Sequence, residues 1–186
     1  MHYFDQRQKR LLLKLCAAWP FTQAFRAVAD NDADQQRRFK NIGIVLVIDA
    51  VAGAEMEGVK IYDDRGEELY GKALLARRTR EIRSYSRIRV PLSVRVLWRI
   101  NPKAIWGKLG GIDYEGEIAG DYTIPVASRI PDAILDDIRA HGGGLRLKFR
   151  LKPDGVMLGW DIERGSPRGD VSIWESPGGD FLETRY

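Results

Sequence analysis

The sequence predicts a β-rich α+β fold: an antiparallel, sheet-dominated single domain with one short helix in the C-terminal half and a helical N-terminal appendage. Three observations carry this expectation. Residues 145–164 (LRLKFRLKPDGVMLGWDIER) read as two alternating strands joined by a tight turn. Residues 90–98 (VPLSVRVLW) alternate in the same way, and residues 131–140 (PDAILDDIRA) have the punctuation of a helix. Side chains alternate across a strand and recur every three or four positions along a helix, so these patterns separate the two.

The chain has 186 residues, a net charge of +4 and a single cysteine, Cys16. That length suits one domain with a small appendage, divided here as residues 1–40 and 41–186. The charge is a small excess over many carboxylates and argues against nucleic acid as the main partner. One cysteine allows no intrachain disulfide. At the N-terminus a basic stretch (Arg7, Lys9, Arg10) precedes an apolar one (11–19) and small residues (27–29), the outline of a signal segment. Lys14, Pro20 and Arg26 interrupt that outline. The same residues suit a helix over about 5–19, stopped by Pro20. Residues 30–40 (DNDADQQRRFK) read as a polar linker.

The body opens with a β-branched run, residues 42–51 (IGIVLVIDAV), expected as a strand buried on both faces. A short strand over 59–62 follows, then a turn at Asp63, Asp64, Arg65 and Gly66. Residues 67–75 give no clear pattern. Residues 77–89 hold six arginines and one glutamate. Arg77, Arg78, Arg80 and Arg83 could form an anion-binding strip. A solvated strand edge accounts for them better, because charge on an edge prevents edge-to-edge pairing. In the next strand Val90, Leu92, Val94, Val96 and Trp98 share one face.

Residues 101–122 (NPKAIWGKLGGIDYEGEIAGDY) contain five glycines and are expected to be the longest irregular stretch. Long glycine-rich loops often carry function, and aromatic residues beside acidic ones suit protein recognition. Trp106, Asp113, Tyr114, Glu115, Glu117, Asp121 and Tyr122 are therefore the candidate partner-binding residues. A short strand is expected over 123–126. In the helix, Pro131 and Asp132 favour the start, Ile134, Leu135 and Ile138 form the apolar stripe, and the glycines at 142–144 end it. The hairpin over 145–164 then places Leu145, Leu147, Phe149 and Leu151 opposite Val156, Leu158, Trp160 and Ile162 on one apolar face. Arg146, Lys148, Arg150 and Lys152 share the other face with Asp161 and Glu163. One last edge strand is expected near 171–174.

No catalytic set emerges. The two histidines, His2 and His141, are far apart, and no nucleophile has a nearby base. Phosphate loops run strand, glycines, helix, and the triple glycine after a helix has the wrong order. Only a carboxylate pair assembled by folding stays open. No metal and no cofactor are expected.

The order of segments in the C-terminal half, VPLSVRVLW, YTIPV, a short helix, LRLKF, DGV and GWDI, resembles small bacterial immunity proteins encoded beside type VI secretion lipase or phospholipase effectors. The likeness covers residues 90–163. It implies a protein without enzymatic activity that binds a cognate toxin and blocks its active site. It further implies a periplasmic or inner-membrane-associated location, often through a lipid anchor, with the cytoplasm as the alternative. The lipid-anchor pattern would acylate Cys16, but Leu15 stands where a small residue is usual.

Overall fold

In the computed structural model the chain divides into two compact units, Met1–Arg38 and Phe39–Tyr186. The residues described are 33–34, 37–76, 81–85 (backbone alone), 90–107, 110–165 and 172–183. The expected N-terminal helix, signal outline and Cys16 lie outside them.

The second unit is sheet-dominated. Its strands are β1 (Gly43–Ala50), β2 (Glu55–Asp63), β3 (Glu68–Ala76), β4 (Glu81–Tyr85), β5 (Ser93–Trp106), β6 (Ile112–Pro125), β7 (Gly144–Lys152), β8 (Gly155–Gly165) and β9 (Ser172–Gly179). One sheet has the order β4-β1-β7-β8-β9, the other β3-β2-β5-β6. Every pairing is antiparallel except β1 with β7, which runs parallel. A parallel neighbour needs a long connection, and here the whole second sheet lies between the two strands in sequence.

The apolar faces of both sheets meet in one core. Ile44, Leu46 and Ile48 of β1, Leu145, Leu147 and Phe149 of β7, and Leu158 and Ile162 of β8 supply one side. Val59 and Ile61 of β2, with Val94, Val96 and Trp98 of β5, supply the other. Each such side chain, fully withdrawn from water, contributes about 1.5–3 kcal/mol. Two tryptophans in this core lie on glycines. Trp98 is paired with Gly120 across β5 and β6, and Trp160 with Gly178 across β8 and β9. A Cβ at Gly120 would fall 2.2 Å from the Trp98 ring, and one at Gly178 would fall 2.6 Å from the Trp160 indole. An aromatic ring covering a cross-strand glycine restores the packing that the missing side chain forfeits.

The Asp63 turn forms as expected, with Asp63 Oδ1 accepting from the backbone N–H groups of Arg65 and Glu67, both at 2.8 Å. The unclear stretch over 67–75 is β3. The expected short strand over 123–126 is the end of β6. The one α-helix among the described residues of this unit, α1 (Asp132–His141), follows a 3-10 turn at Ala127–Arg129. Leu135 and Ile138 are buried, and Gly142 (φ 79°) ends the helix by donating to the Ile138 carbonyl at 2.8 Å. Asp137 on this helix accepts from Arg164 at 2.9 Å and pairs with His141 at 2.6 Å. Those two partners, Arg164 first, hold its carboxyl below the ordinary carboxylate range.

The hairpin over 145–164 pairs in the expected register, with Arg146 opposite Asp161 and Leu147 opposite Trp160. The centre of its charged face is buried. Arg146, Lys148 and Asp161 have no exposed surface. Arg146 grips Asp161 through Nε at 2.6 Å and Nη2 at 2.7 Å, and Lys148 Nζ lies 3.0 Å from the same carboxylate. Arg150 donates to Asp49 of β1 at 3.0–3.2 Å. Burial pushes Lys148 below its ordinary value and Asp49 above its own, as desolvation disfavours both charged forms.

Candidate functional site

The stretch expected to be irregular, residues 101–122, is a correction to the sequence expectation. It belongs to two strands of 14 residues each, β5 and β6, paired from Ser93↔Pro125 out to Trp106↔Ile112. Its glycines serve geometry. Gly110 (φ 85°) and Gly111 (φ 90°) close the tip, where Gly107 N–H donates to the Gly111 carbonyl at 3.0 Å. Gly120 lies under Trp98. Gly116 (φ 142°) faces Asn101 (φ 46°) and Pro102, where the register shifts between Ile100 and Lys103. An extra residue on one strand bends the ladder.

Beyond that bend the distal arm, residues 103–107 and 110–115, crosses the outer side of β2. Gly58 (φ 54°) makes room for it, since a Cβ there would lie 2.9 Å from Pro102 and 3.3 Å from Tyr114. Lys60 latches the arm. Its side chain is almost fully buried, and Nζ donates to the Ile112 carbonyl at 2.8 Å and to Glu68 at 2.6 Å. The ammonium also lies 5.6 Å from the Tyr114 ring centroid. A cation buried in an apolar strand needs such partners, and here they come from the arm and from β3.

The seven candidate contact residues do not form one patch. Trp106, at the tip, is 84% exposed. Glu115 and Glu117 are exposed on β6. Asp113 is half-buried with its Oδ1 4.0 Å from Lys60 Nζ, and Tyr114 is buried over β2. Tyr122 stacks on Trp98 at 5.3 Å between centroids and packs against the core. Asp121 is held by Arg95, whose hydrogen bond keeps its carboxyl below the ordinary range. Tyr114 and Tyr122 are therefore structural, and Asp121 is already paired. Arg77, Arg78 and Arg80 lie outside the described residues, and Arg83 is described as backbone alone in β4.

Sequence reasoning named Trp106 but missed the aliphatic members. Among the described residues seven large hydrophobic side chains are exposed, and four of them, Ile100, Trp106, Ile112 and Ile118, belong to the β5–β6 hairpin. Trp106 and Ile112 are direct cross-strand partners, so both stand on one face of the tip. The readable signal was Ile112 following a double glycine, an apolar residue at a turn. At the base of the hairpin an open groove of about 440 Å³ is lined by Met56, Glu57, Trp98, Arg99, Ile100 and Pro153 among others. Glu57 is committed to the Asn101 N–H at 3.1 Å, and Arg99 donates to the Gly116 carbonyl at 3.0 Å. Both charged groups thus brace the bend. No group of three or more His, Cys, Asp or Glu able to hold a metal ion occurs among the described residues. No helix among them is long and apolar enough to cross a membrane.

Compared with known proteins, the chain matches no family model, no curated protein and no solved structure.

Proposed function

We propose that this domain is a protein-recognition module whose contact element is the bent β5–β6 hairpin. One observation carries the proposal: exposed large apolar side chains concentrate on that hairpin, with Trp106 and Ile112 paired at its tip. Exposed apolar groups on one element, with charge around them, mark an association surface. Glu115 and Glu117 supply a negative rim that would favour encounter with a basic partner. The Lys60 latch holds the arm in place before binding, which lowers the ordering cost of association.

The resemblance of residues 90–163 to immunity proteins gives the partner class: a lipase-like antibacterial effector, neutralised by occlusion of its active site and without catalysis by this chain. Periplasmic delivery, by a helical or signal-like segment within residues 1–40, belongs to the same proposal. The test is paired affinity capture with the intact chain and its Trp106→Ala/Ile112→Ser variant as baits. A lipase-class protein held by the first bait and lost by the second supports the proposal. A partner held equally by both removes the hairpin from the interface.

A further inference from the structure

The chain's own tail lies across the buried charged face. At the end of β9, Gly179 (φ 97°) turns the chain, and a Cβ there would clash with the Leu158 carbonyl. Asp180 clamps onto β8 in both directions. Its N–H donates to the Leu158 carbonyl at 2.8 Å, and its Oδ2 accepts from the Leu158 N–H at 2.8 Å. Arg129 of the 3-10 turn grips the same carboxylate at 2.6 and 3.1 Å. The tail then recrosses β8 at Gly159, a position without a side chain between Met157 and Asp161 in the outward-facing row of that strand. A Cβ on Gly159 would fall 3.0 Å from the Phe181 carbonyl oxygen and 3.2 Å from its ring.

Past this saddle the tail reads the cations of β7. The Phe181 ring centroid lies 4.3 Å from the Arg150 guanidinium carbon and 5.1 Å from Lys148 Nζ. Lys148 donates to the Glu183 carbonyl at 2.9 Å, and Arg150 Nη1 lies 3.4 Å from Glu183 Oε1. Phe181 is buried while Leu182 is 60% exposed, so the segment is read at alternate residues, as an extended peptide is. Asp161 serves Arg146 and Lys148, and Asp49 serves Arg150. The third carboxylate of this network comes from the tail.

We propose that this face of β1, β7 and β8 is a binding site for an extended aromatic–x–acidic peptide segment of a partner protein, occupied in cis by Phe181, Leu182 and Glu183. The site is separate from the β5–β6 hairpin. A short segment holds it, and closing that segment withdraws two cations, Lys148 and Arg150, from water. Such burial offsets much of what the contacts gain. Elements closed by so narrow a margin open locally while the rest stays folded.

The probe is a fluorescein-labelled peptide of residues 180–186, DFLETRY, titrated by anisotropy. The full chain carrying Phe181→Ala and Glu183→Ala, with its fold checked by circular dichroism, should bind it at least about tenfold more tightly than the wild type. Adding Arg150→Ala should remove about that same factor, as loss of a charge-assisted contact does. A folded variant that binds no better than wild type, or that ignores Arg150→Ala, overturns the proposal. Hydrogen exchange on the unaltered chain is the second measurement. Amides 181–183 should exchange at least about 100-fold faster than those of β7. Equal protection would make the tail permanent architecture and overturn the proposal by itself.

Discussion

Replacing Asp161 with alanine isolates the cost of the buried charge network. Arg146 and Lys148 have no exposed surface, and both rest on this carboxylate. Its removal leaves two cations facing each other where water is excluded. Breaking a buried ion pair from one side costs about 3–5 kcal/mol. Lys148 sets a ceiling on its share, because it can shed its proton. Relative to an unfolded chain with the ordinary value of 10.5, a neutral lysine at pH 7 costs about 5 kcal/mol, and at pH 9 about 2 kcal/mol. The lysine pKa in the folded variant is depressed, so the unfolded state binds the proton that the folded state lacks. Stability of the variant therefore rises with pH up to about 10.5. Urea unfolding followed by tryptophan fluorescence reads this directly. With a slope of about 2 kcal/mol per molar urea, a loss of about 4 kcal/mol lowers the midpoint by roughly 2 M at pH 7. The gap to wild type should narrow at pH 9. A loss below about 1 kcal/mol at pH 7, or a gap that widens at pH 9, would refute the idea that Asp161 keeps these cations charged inside the protein.

Three further outcomes follow from single contacts. Gly120→Ala drives a methyl group into the Trp98 ring and should cost about 1–3 kcal/mol in the same assay, whereas an unchanged midpoint would mean the ring does not rest there. Lys60→Met keeps the buried stem but removes the latch, so amides 112–115 should exchange faster while β2 stays protected; unchanged exchange would show that the arm holds its place without the ammonium. Arg129 holds Asp180 below its ordinary 3.8, and a backbone hydrogen bond followed by Arg150 holds Glu183 below 4.5. The stability these carboxylates give the tail is complete above those ordinary values and is lost as the pH falls through the lower folded-state ones. The NMR signals of 181–183 should thus move to random-coil positions as the pH falls below 4.5, ahead of those of β7. Simultaneous loss of both would contradict a separately held tail.

Local alternation made part of the fold readable. The hairpin over 145–164, the strand after Pro91, the buried run over 42–51 and the helix at 131–140 each announce themselves within ten to twenty residues. The parallel pairing of β1 with β7 did not, because it joins segments about a hundred residues apart and no local pattern encodes it. The β5–β6 hairpin was mistaken for a loop because its glycines looked like breakers. They are required by a tip, a bend and a tryptophan ring, each defined only by the partner strand. Exposure at Trp106 was legible from its glycine neighbour, whereas the burial of Tyr114 depends on Gly58, more than fifty residues earlier. The charged face of β7 was legible as a set of cations beside Asp161 and Glu163, but its burial was not, because its cover comes from residues 181–183. Gly159, a gap in the row of Met157, Asp161 and Glu163, was the one sign that something crosses there.

The most direct measurement is calorimetric titration of the captured partner, purified, with the intact chain and with Trp106→Ala. Trp106 is exposed and makes no core contact, so the variant should fold as wild type does. A tryptophan that anchors an interface is worth about 2–4 kcal/mol, so affinity should fall by roughly 30- to 700-fold. Equal affinity for the two proteins would contradict recognition through the β5–β6 hairpin.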